Sequence, residues 1–458
     1  MTARKKLRIL VITMGCSKNL VDSEHLMRQF DSYGMELLPS DYSIDITASK
    51  DSAGRFIDCI IINTCGFIQD AKEESISMIF KALAAKKTGK AGKVLVFGCL
   101  SQRYLSELKE GIPEVDAFFG AFNIKDVVEY LGLDYKSELC SSRYQTTPEH
   151  YAYLKISEGC NRRCAYCAIP FIRGPHVSVP MEELEREARE LAAKGVKELI
   201  VIAQDTTYYG LDLYGKRMLA PLLERLSAVK GIEWIRIHYS YPDDFPEDVI
   251  ELMAVNPKIC KYLDIPLQHG SNSVLKNMHR GIGSAQTQKL IDSLRQRIPG
   301  IVLRTTLIVG FPGETSRDFN TLLEFVARNR FERLGAFTYS EEEGTYAAEH
   351  YKDNVRYSTK QKRYDRLMEL QSSISAKANE ARLGKIEKVL VDRMESDFLV
   401  ARSQYESPEV DGEILIPLSS CRKVFGNLNL ESLIGKFVDV RIVDSDEYDL
   451  YADPVLSN

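Results

Sequence analysis

Apolar runs that are almost uninterrupted, each followed by a helical pattern, constrain this chain more than any other feature. Residues 7–14, 57–63 and 93–97 read as strands buried on both faces, because parallel strands covered by helices are apolar throughout. Helical spacing is predicted over 22–33 and 69–86, and 115–120 reads as a fourth strand. After 136–150, which lacks apolar periodicity and reads as a linker, the alternation resumes. Strands are predicted at 151–157, 198–203, 232–238, 261–266, 302–309 and 334–339, with a clear helix over 180–194. Six strand-helix units imply an α/β fold with a parallel sheet curled into a partial barrel, whose site lies at the strand carboxyl ends.

The loop after the first of these six strands is Cys160-Asn161-Arg162-Arg163-Cys164-Ala165-Tyr166-Cys167. Three thiolates so close can hold a metal centre and leave it one ligand short, whereas structural zinc and electron-carrier iron-sulfur centres take four ligands. His176 lies beyond Pro170 and the Gly174-Pro175 break. A half zinc site completed elsewhere, or three buried thiols, are the plainer alternatives, although burial alone gives no reason for the clustering. The C-x3-C-x2-C spacing resembles the signature of the radical S-adenosylmethionine (SAM) superfamily. That resemblance implies a 4Fe-4S cluster whose fourth position is taken by the methionine part of SAM.

A second group of thiols is spread through the first third. The strands at 7–14, 57–63 and 93–97 run into Cys16, Cys65 and Cys99, each beside a glycine, Gly15, Gly66 and Gly98. Ligands of open parallel sheets sit just past the strand carboxyl ends, so these three cysteines are expected to meet there as another cluster with an open iron. Three unrelated core thiols are the alternative; Cys59, inside its strand, is read as core. Further on, Ala203-Gln204-Asp205-Thr206-Thr207, Pro266-Leu267-Gln268-His269-Gly270 and Val309-Gly310-Phe311-Pro312-Gly313-Glu314 also fall at strand ends. Gln204 and Asp205 have the chemistry to bind the amino group of a methionine moiety, and Tyr166 is read either as a contact to the adenine region or as a plain packing aromatic. His269 by itself reads as a satisfied polar residue.

At 458 residues the chain has room for about three domains. The basic Arg4-Lys5-Lys6 segment precedes an apolar run too short for a secretory signal, and no apolar stretch approaches the ~20 residues of a membrane span. A cytoplasmic location, no membrane partner and reduced thiols are therefore expected. A long helix over 358–383 leads to short β-type runs at 387–392, 398–403, 412–416 and 437–443, as in a small antiparallel barrel. Residues 384–458 carry eight Lys+Arg against fifteen Asp+Glu, while the preceding residues carry 52 against 50. An acidic terminal module suits a basic partner, with a merely solubilising surface as the alternative, and argues against direct nucleic-acid binding through phosphates.

Gly15-Cys16-Ser17-Lys18-Asn19-Leu20-Val21-Asp22-Ser23-Glu24, Asn63-Thr64-Cys65-Gly66-Phe67-Ile68, Gly98-Cys99-Leu100-Ser101-Gln102-Arg103-Tyr104 and the Cys160 loop together resemble the methylthiotransferase family of radical SAM enzymes. The resemblance covers nearly the whole chain. It implies a Rossmann-like N-terminal domain over 1–138, a radical SAM (β/α)6 core over 150–383 and a TRAM-like substrate-binding β-barrel over 384–458. It also implies two 4Fe-4S clusters, an auxiliary one on Cys16, Cys65 and Cys99 and a SAM-cleaving one on Cys160, Cys164 and Cys167. A reductant protein such as flavodoxin or ferredoxin would supply the electron.

The wording around Cys16 and at Ala203–Thr207 is similar to the branch acting on an aspartate of ribosomal small-subunit protein twelve. Identical chemistry on tRNA, or a non-enzymatic iron-sulfur redox protein, are the alternatives. Many radical SAM proteins carry Gly-Gly-Glu where this chain has Ala203-Gln204-Asp205, a departure that bears on the SAM contacts.

Overall fold

The computed structural model describes residues 6–39 and 56–456; Arg4 and Lys5 of the basic segment lie outside them. The chain forms two compact units. The first comprises Met1–Thr147, Tyr153–Arg162 and Cys167–Glu190; the second comprises Pro148–Ala152, Arg163–Tyr166 and Leu191–Asn458.

The first unit holds five parallel strands, β1 (Arg8–Thr13), β2 (Glu36–Leu38), β3 (Ile57–Thr64), β4 (Ala91–Gly98) and β5 (Ala117–Phe118), in the order β2-β1-β3-β4-β5. Both faces are covered. Ile60, Ile62, Val94 and Val96 pack with Ile79, Ala82 and Ala85 of the helix Gln69–Lys87, while Ile9, Ile61 and Leu95 pack with Leu26, Met27 and Phe30 of the helix Ser17–Asp31. Cys59 belongs to the second of these cores at 1% exposure. This doubly wound order reverses between β1 and β3, and the crevice at such a reversal is where open α/β sheets bind ligands.

Three differences from the sequence reading stand out. The first helix begins at Ser17, not residue 22, because its first turn is buried by Lys18 and Asn19, polar residues that carry no apolar period. Edge strand β2 is only three residues long, too short to leave a periodic signal. The 136–150 stretch is also more than a linker. Arg143 is 1% exposed and pairs with Glu24 and Glu187.

β6 (Tyr151–Lys155) runs through the boundary between the units, and the first unit continues with a small antiparallel pair, β7 (Ser157–Glu158) and β8 (Val177–Ser178). The second unit holds β9 (Glu198–Ile202), β10 (Trp234–Ile237), β11 (Ile259–Asp264), β12 (Val302–Val309) and β13 (Arg333–Thr338). The sheet is open, ordered β13-β12-β11-β10-β9-β6, with β9 to β13 parallel. This is the expected six-stranded partial barrel.

The helix Tyr357–Glu380 leads to a closed barrel of β14 (Ile386–Glu395), β15 (Phe398–Ser403), β16 (Ile414–Pro417), β17 (Phe437–Ser445) and β18 (Leu450–Pro454). One pairing corrects the antiparallel expectation. The helix Leu418–Phe425 and the turn Leu430–Leu433 carry the chain over the barrel between β16 and β17, so β18 returns beside β16 in the parallel sense.

This small barrel is docked on one face of the open sheet. Trp234, Cys260 and Tyr262 pack against Leu390, and the Trp234 ring meets Phe437 edge-on at 4.7 Å between centroids. Around that apolar patch lies a buried ionic seam. Glu198 accepts from Arg236 Nε at 2.8 Å and Arg402 Nη1 at 2.9 Å, and Arg402 also grips Asp392 through Nε and Nη2. Tyr262 donates to Asp411 at 2.7 Å, and His238 and Ser407 share a hydrogen bond of 2.9 Å. Among the described residues no helix is long and apolar enough to cross a membrane.

Candidate metal centres at the strand ends

Cys16, Cys65 and Cys99 follow β1, β3 and β4, and two glycines bring their loops together. A Cβ on Gly15 would stand 2.7 Å from Cys65 Cβ and 2.9 Å from its sulfur; one on Gly66 would stand 2.8 Å from the Cys99 carbonyl carbon and 2.7 Å from Leu100 N. The first contact joins the Cys16 loop to Cys65, and the second joins the Cys65 loop to Cys99. Gly15 moreover sits at φ 89°, where a side chain is strained. Cys16 is exposed at the N-terminus of the helix Ser17–Asp31, whereas Cys65 and Cys99 are buried. Burial pushes the Cys65 thiol up and the Cys99 thiol to about 11, so both are protonated until a metal replaces the proton.

Four polar residues after Cys16 have structural tasks. Asn19 Nδ2 donates to Met14 O at 2.9 Å and Thr64 O at 3.2 Å, tying the ends of β1 and β3, and Asn63 Nδ2 donates back to Asn19 O at 2.8 Å. Ser23 accepts from Asn63 at 3.0 Å. Glu24 accepts from Arg143 and from the backbone of Thr146. Asp22 receives Lys155 and, at 2.8 Å, Arg173.

Arg173, which the sequence did not single out, also places Nε 3.2 Å from Cys99 Sγ and Nη2 2.6 Å from Asn19 Oδ1. It closes an otherwise apolar Ala168-Ile169-Pro170-Phe171-Ile172 run, and a lone cation in that setting is the signal that could have marked it. Ala168 and Ile172 pack directly on Cys99. The segment leaving Cys167 is thus in contact with the cysteine at the end of β4.

The Cys160 loop is tied at its start. Cys160 N donates to Gly174 O and His176 N to Asn161 Oδ1, both at 3.0 Å. Cys164 lies in the second unit beside Arg280, whose Nη1 is 3.4 Å from its sulfur and 3.5 Å from the Tyr166 hydroxyl. The Arg280 guanidinium stacks on Tyr241 at 4.0 Å and donates to Pro266 O at 2.6 Å. Arg280 and Tyr241 are further contacts that sequence reasoning missed.

At the other strand ends the polar residues brace the loops. Asp205 is 1% exposed, and its Oδ1 accepts from Thr207 N at 3.0 Å and Thr207 Oγ1 at 2.6 Å, capping the turn that follows Gln204. Gln204 is half-buried. Thr206 bonds to His238 O and Ser240 Oγ, both at 3.1 Å, linking the β9 and β10 loops, while Tyr239 N donates to Asp264 at the end of β11.

Tyr239 and Gln268 hold φ of 56° and 72° just after β10 and β11, and such strain on non-glycine residues gathers at functional sites. His269 is neutral, since burial lowers it to about 3, and its Nδ1 accepts from Ser271 N at 2.9 Å. Glu314 folds back onto Gly310 N and Phe311 N and pairs with Arg363 at 3.0 Å.

Among the described residues no three His, Cys, Asp or Glu side chains converge closely enough to hold one ion. A four-iron cluster asks something different, because each thiolate binds its own iron and the donors stand wider apart. Three cysteine-only donors on loops packed through glycine fit that group.

A parallel partial barrel with three cysteines on the loop after its first strand defines a class, and residues 154–326 match the Radical SAM superfamily. Residues 8–120 match Uncharacterized protein family UPF0004, and 383–455 the TRAM domain. The chain belongs to the family of ribosomal protein uS12 methylthiotransferases called RimO. It is 51% identical to the RimO of Bacteroides thetaiotaomicron over 98% of both chains. With that of Flavobacterium johnsoniae it is 50% identical, again over 98% of each.

Among solved structures, the radical SAM methyltransferase TsrM of Kitasatospora setae, with cobalamin and a 4Fe-4S cluster, is similar at TM-score 0.53 and 13% identity. That match covers 74% of this chain and 77% of that one. The cobalamin-dependent radical enzyme OxsB with SAM bound is similar at TM-score 0.50 and 13% identity, over 81% of this chain and 56% of that one. These two likenesses concern the fold.

Proposed function

We propose that this protein is a radical SAM methylthiotransferase that adds a methylthio group to the β-carbon of an aspartate in ribosomal protein uS12. The observation that carries the reading is the coincidence of a full-length likeness at about half identity with two separate three-cysteine groups at strand carboxyl ends. Its parts are an N-terminal domain over 1–138, a SAM core over 150–383 and a TRAM-like domain over 384–458. Cys160, Cys164 and Cys167 would hold one 4Fe-4S cluster, and Cys16, Cys65 and Cys99 the other. When bound, the first with SAM supplies a radical able to take an unactivated hydrogen, and the second supplies the sulfur.

The chain's own part is binding and orientation. Gln204, at a turn fixed by Asp205, and Tyr166, held by Arg280, would contact SAM. Asp205, buried under that turn, contributes by shaping it. Arg280 lies against the Cys164 sulfur and keeps its charge despite burial, because Tyr166 and Cys164 favour it.

The C-terminal module brings the acidic surface. A cleft of about 690 Å³ there is lined by Glu380, Asp444, Asp446, Glu447 and Asp449, which suits a basic ribosomal protein and repels phosphates. A flavodoxin or ferredoxin would act as reductant, in the cytoplasm.

The test is anaerobic reconstitution followed by incubation with SAM, a reductant and either uS12 or tRNA, with the added mass located. Mass on the aspartate of uS12 is expected. Mass on tRNA alone, or no SAM cleavage at all, overturns the reading.

A further inference from the structure

Arg173 is 3% exposed, and its guanidinium bonds to Cys99, Asn19, Asp22 and Glu158, all in the first unit. Nε faces Cys99 Sγ at 3.2 Å; Nη2 reaches Asn19 Oδ1 at 2.6 Å; Nη1 is shared between Asp22 at 2.8 Å and Glu158 at 3.1 Å. Lys155 closes the network through Asp22 and, at 2.7 Å, Glu158. Two cations and two carboxylates, Arg173 and Asp22 buried and Lys155 and Glu158 half-buried, therefore balance, and the contact left over is the Nε-H donor on the sulfur. Arginine's planar fork supplies that donor while its other nitrogens are held by oxygen, which lysine cannot reproduce.

Resting on the reading of Cys16, Cys65 and Cys99 as ligands of a 4Fe-4S cluster, we propose that Arg173 is a positioning residue that sets the reduction potential of that cluster. One-electron reduction adds negative charge that spreads onto the cysteine sulfurs. A donor fixed on Cys99 stabilises the reduced form more than the oxidised one and raises the potential. The helix Ile169–Arg173 also packs its Ile172 on Cys99, so the donor is aimed by the same short segment that leaves Cys167.

The test uses the full chain with Cys160, Cys164 and Cys167 replaced by alanine, so that one cluster remains. Iron is counted and the potential read by dithionite titration followed by electron paramagnetic resonance. Arg173→Lys keeps the charge in the network and loses the donor. The expected result is full iron content with a potential lower by 59 mV or more, a tenfold fall in the reduced-to-oxidised ratio at fixed potential for one electron.

Asp22→Asn leaves the donor in place and removes one buried negative charge. Its potential should move the opposite way, and it decides the matter if the lysine variant does not take up iron. Potentials unchanged in variants that hold full iron overturn the proposal. Absence of iron from the parent chain would instead overturn the cluster reading beneath it.

Discussion

Glu406 shows how much one side chain carries. It is 1% exposed and takes bonds from Arg382, from Arg333 at 3.2 Å and from Ser403 N at 3.0 Å. Burial opposes its charge, but the two arginines outweigh it and hold the carboxyl down at about 2. The stabilisation from this depressed group is complete above its ordinary value of 4.5 and is lost as the pH falls from there toward 2. Glu406→Gln leaves arginines facing a neutral amide, and should cost about 3–5 kcal/mol in urea unfolding at neutral pH. That difference should shrink as the titration proceeds below pH 4.5.

Gln204→Ala tests the other kind of residue. A lost hydrogen bond to a charged group is worth about 1.5–3 kcal/mol, so the SAM dissociation constant measured by calorimetry should rise about ten- to a hundredfold with iron content unchanged.

At the scale of elements, the glycine contacts decide where thiols meet. Gly15→Ala puts a methyl group on Cys65 and strains a φ of 89°. It should empty the Cys16, Cys65 and Cys99 group of iron while 5'-deoxyadenosine formation at the Cys160 group continues; iron counting and that assay check it together.

The strands that carry these loops were legible because burial on both faces writes a continuous apolar run, and the cysteine ending each run was legible for the same reason. Strand β2 escaped because three residues hold no period, and the first turn of the helix Ser17–Asp31 because Lys18 and Asn19, though polar, are buried, Asn19 through bonds to Met14 O and Thr64 O. Arg173 and Arg280 escaped because their partners are distant in sequence. Asp205 was legible as a polar group at a strand end, but its bonds to Thr207 were not, because they depend on the turn that follows β9.

For the second unit as a whole, the small barrel and the open sheet form one body. Glu198 and Arg236 are both fully buried, with partners Arg402, Ser403 and Gln404 beyond residue 384. A chain ending at residue 383 leaves Glu198 without Arg402 and Tyr262 without Asp411. At about 3–5 kcal/mol for the broken Glu198–Arg402 pair and roughly 2–4 °C per kcal/mol, its melting temperature should fall by about 10 °C or more in calorimetry. A truncation that melts at the full-length temperature would show the module to be an independent appendage.

The Glu198, Arg236, Arg402 and Asp392 seam also bears on descent. Because cations and anions alternate across it, a lineage cannot exchange its terminal module for an unrelated one by recombination near residue 384 without stranding charge on the side that stays. The outward-facing acidic loops can change one residue at a time, while the hidden ion pairs are handed down as a set.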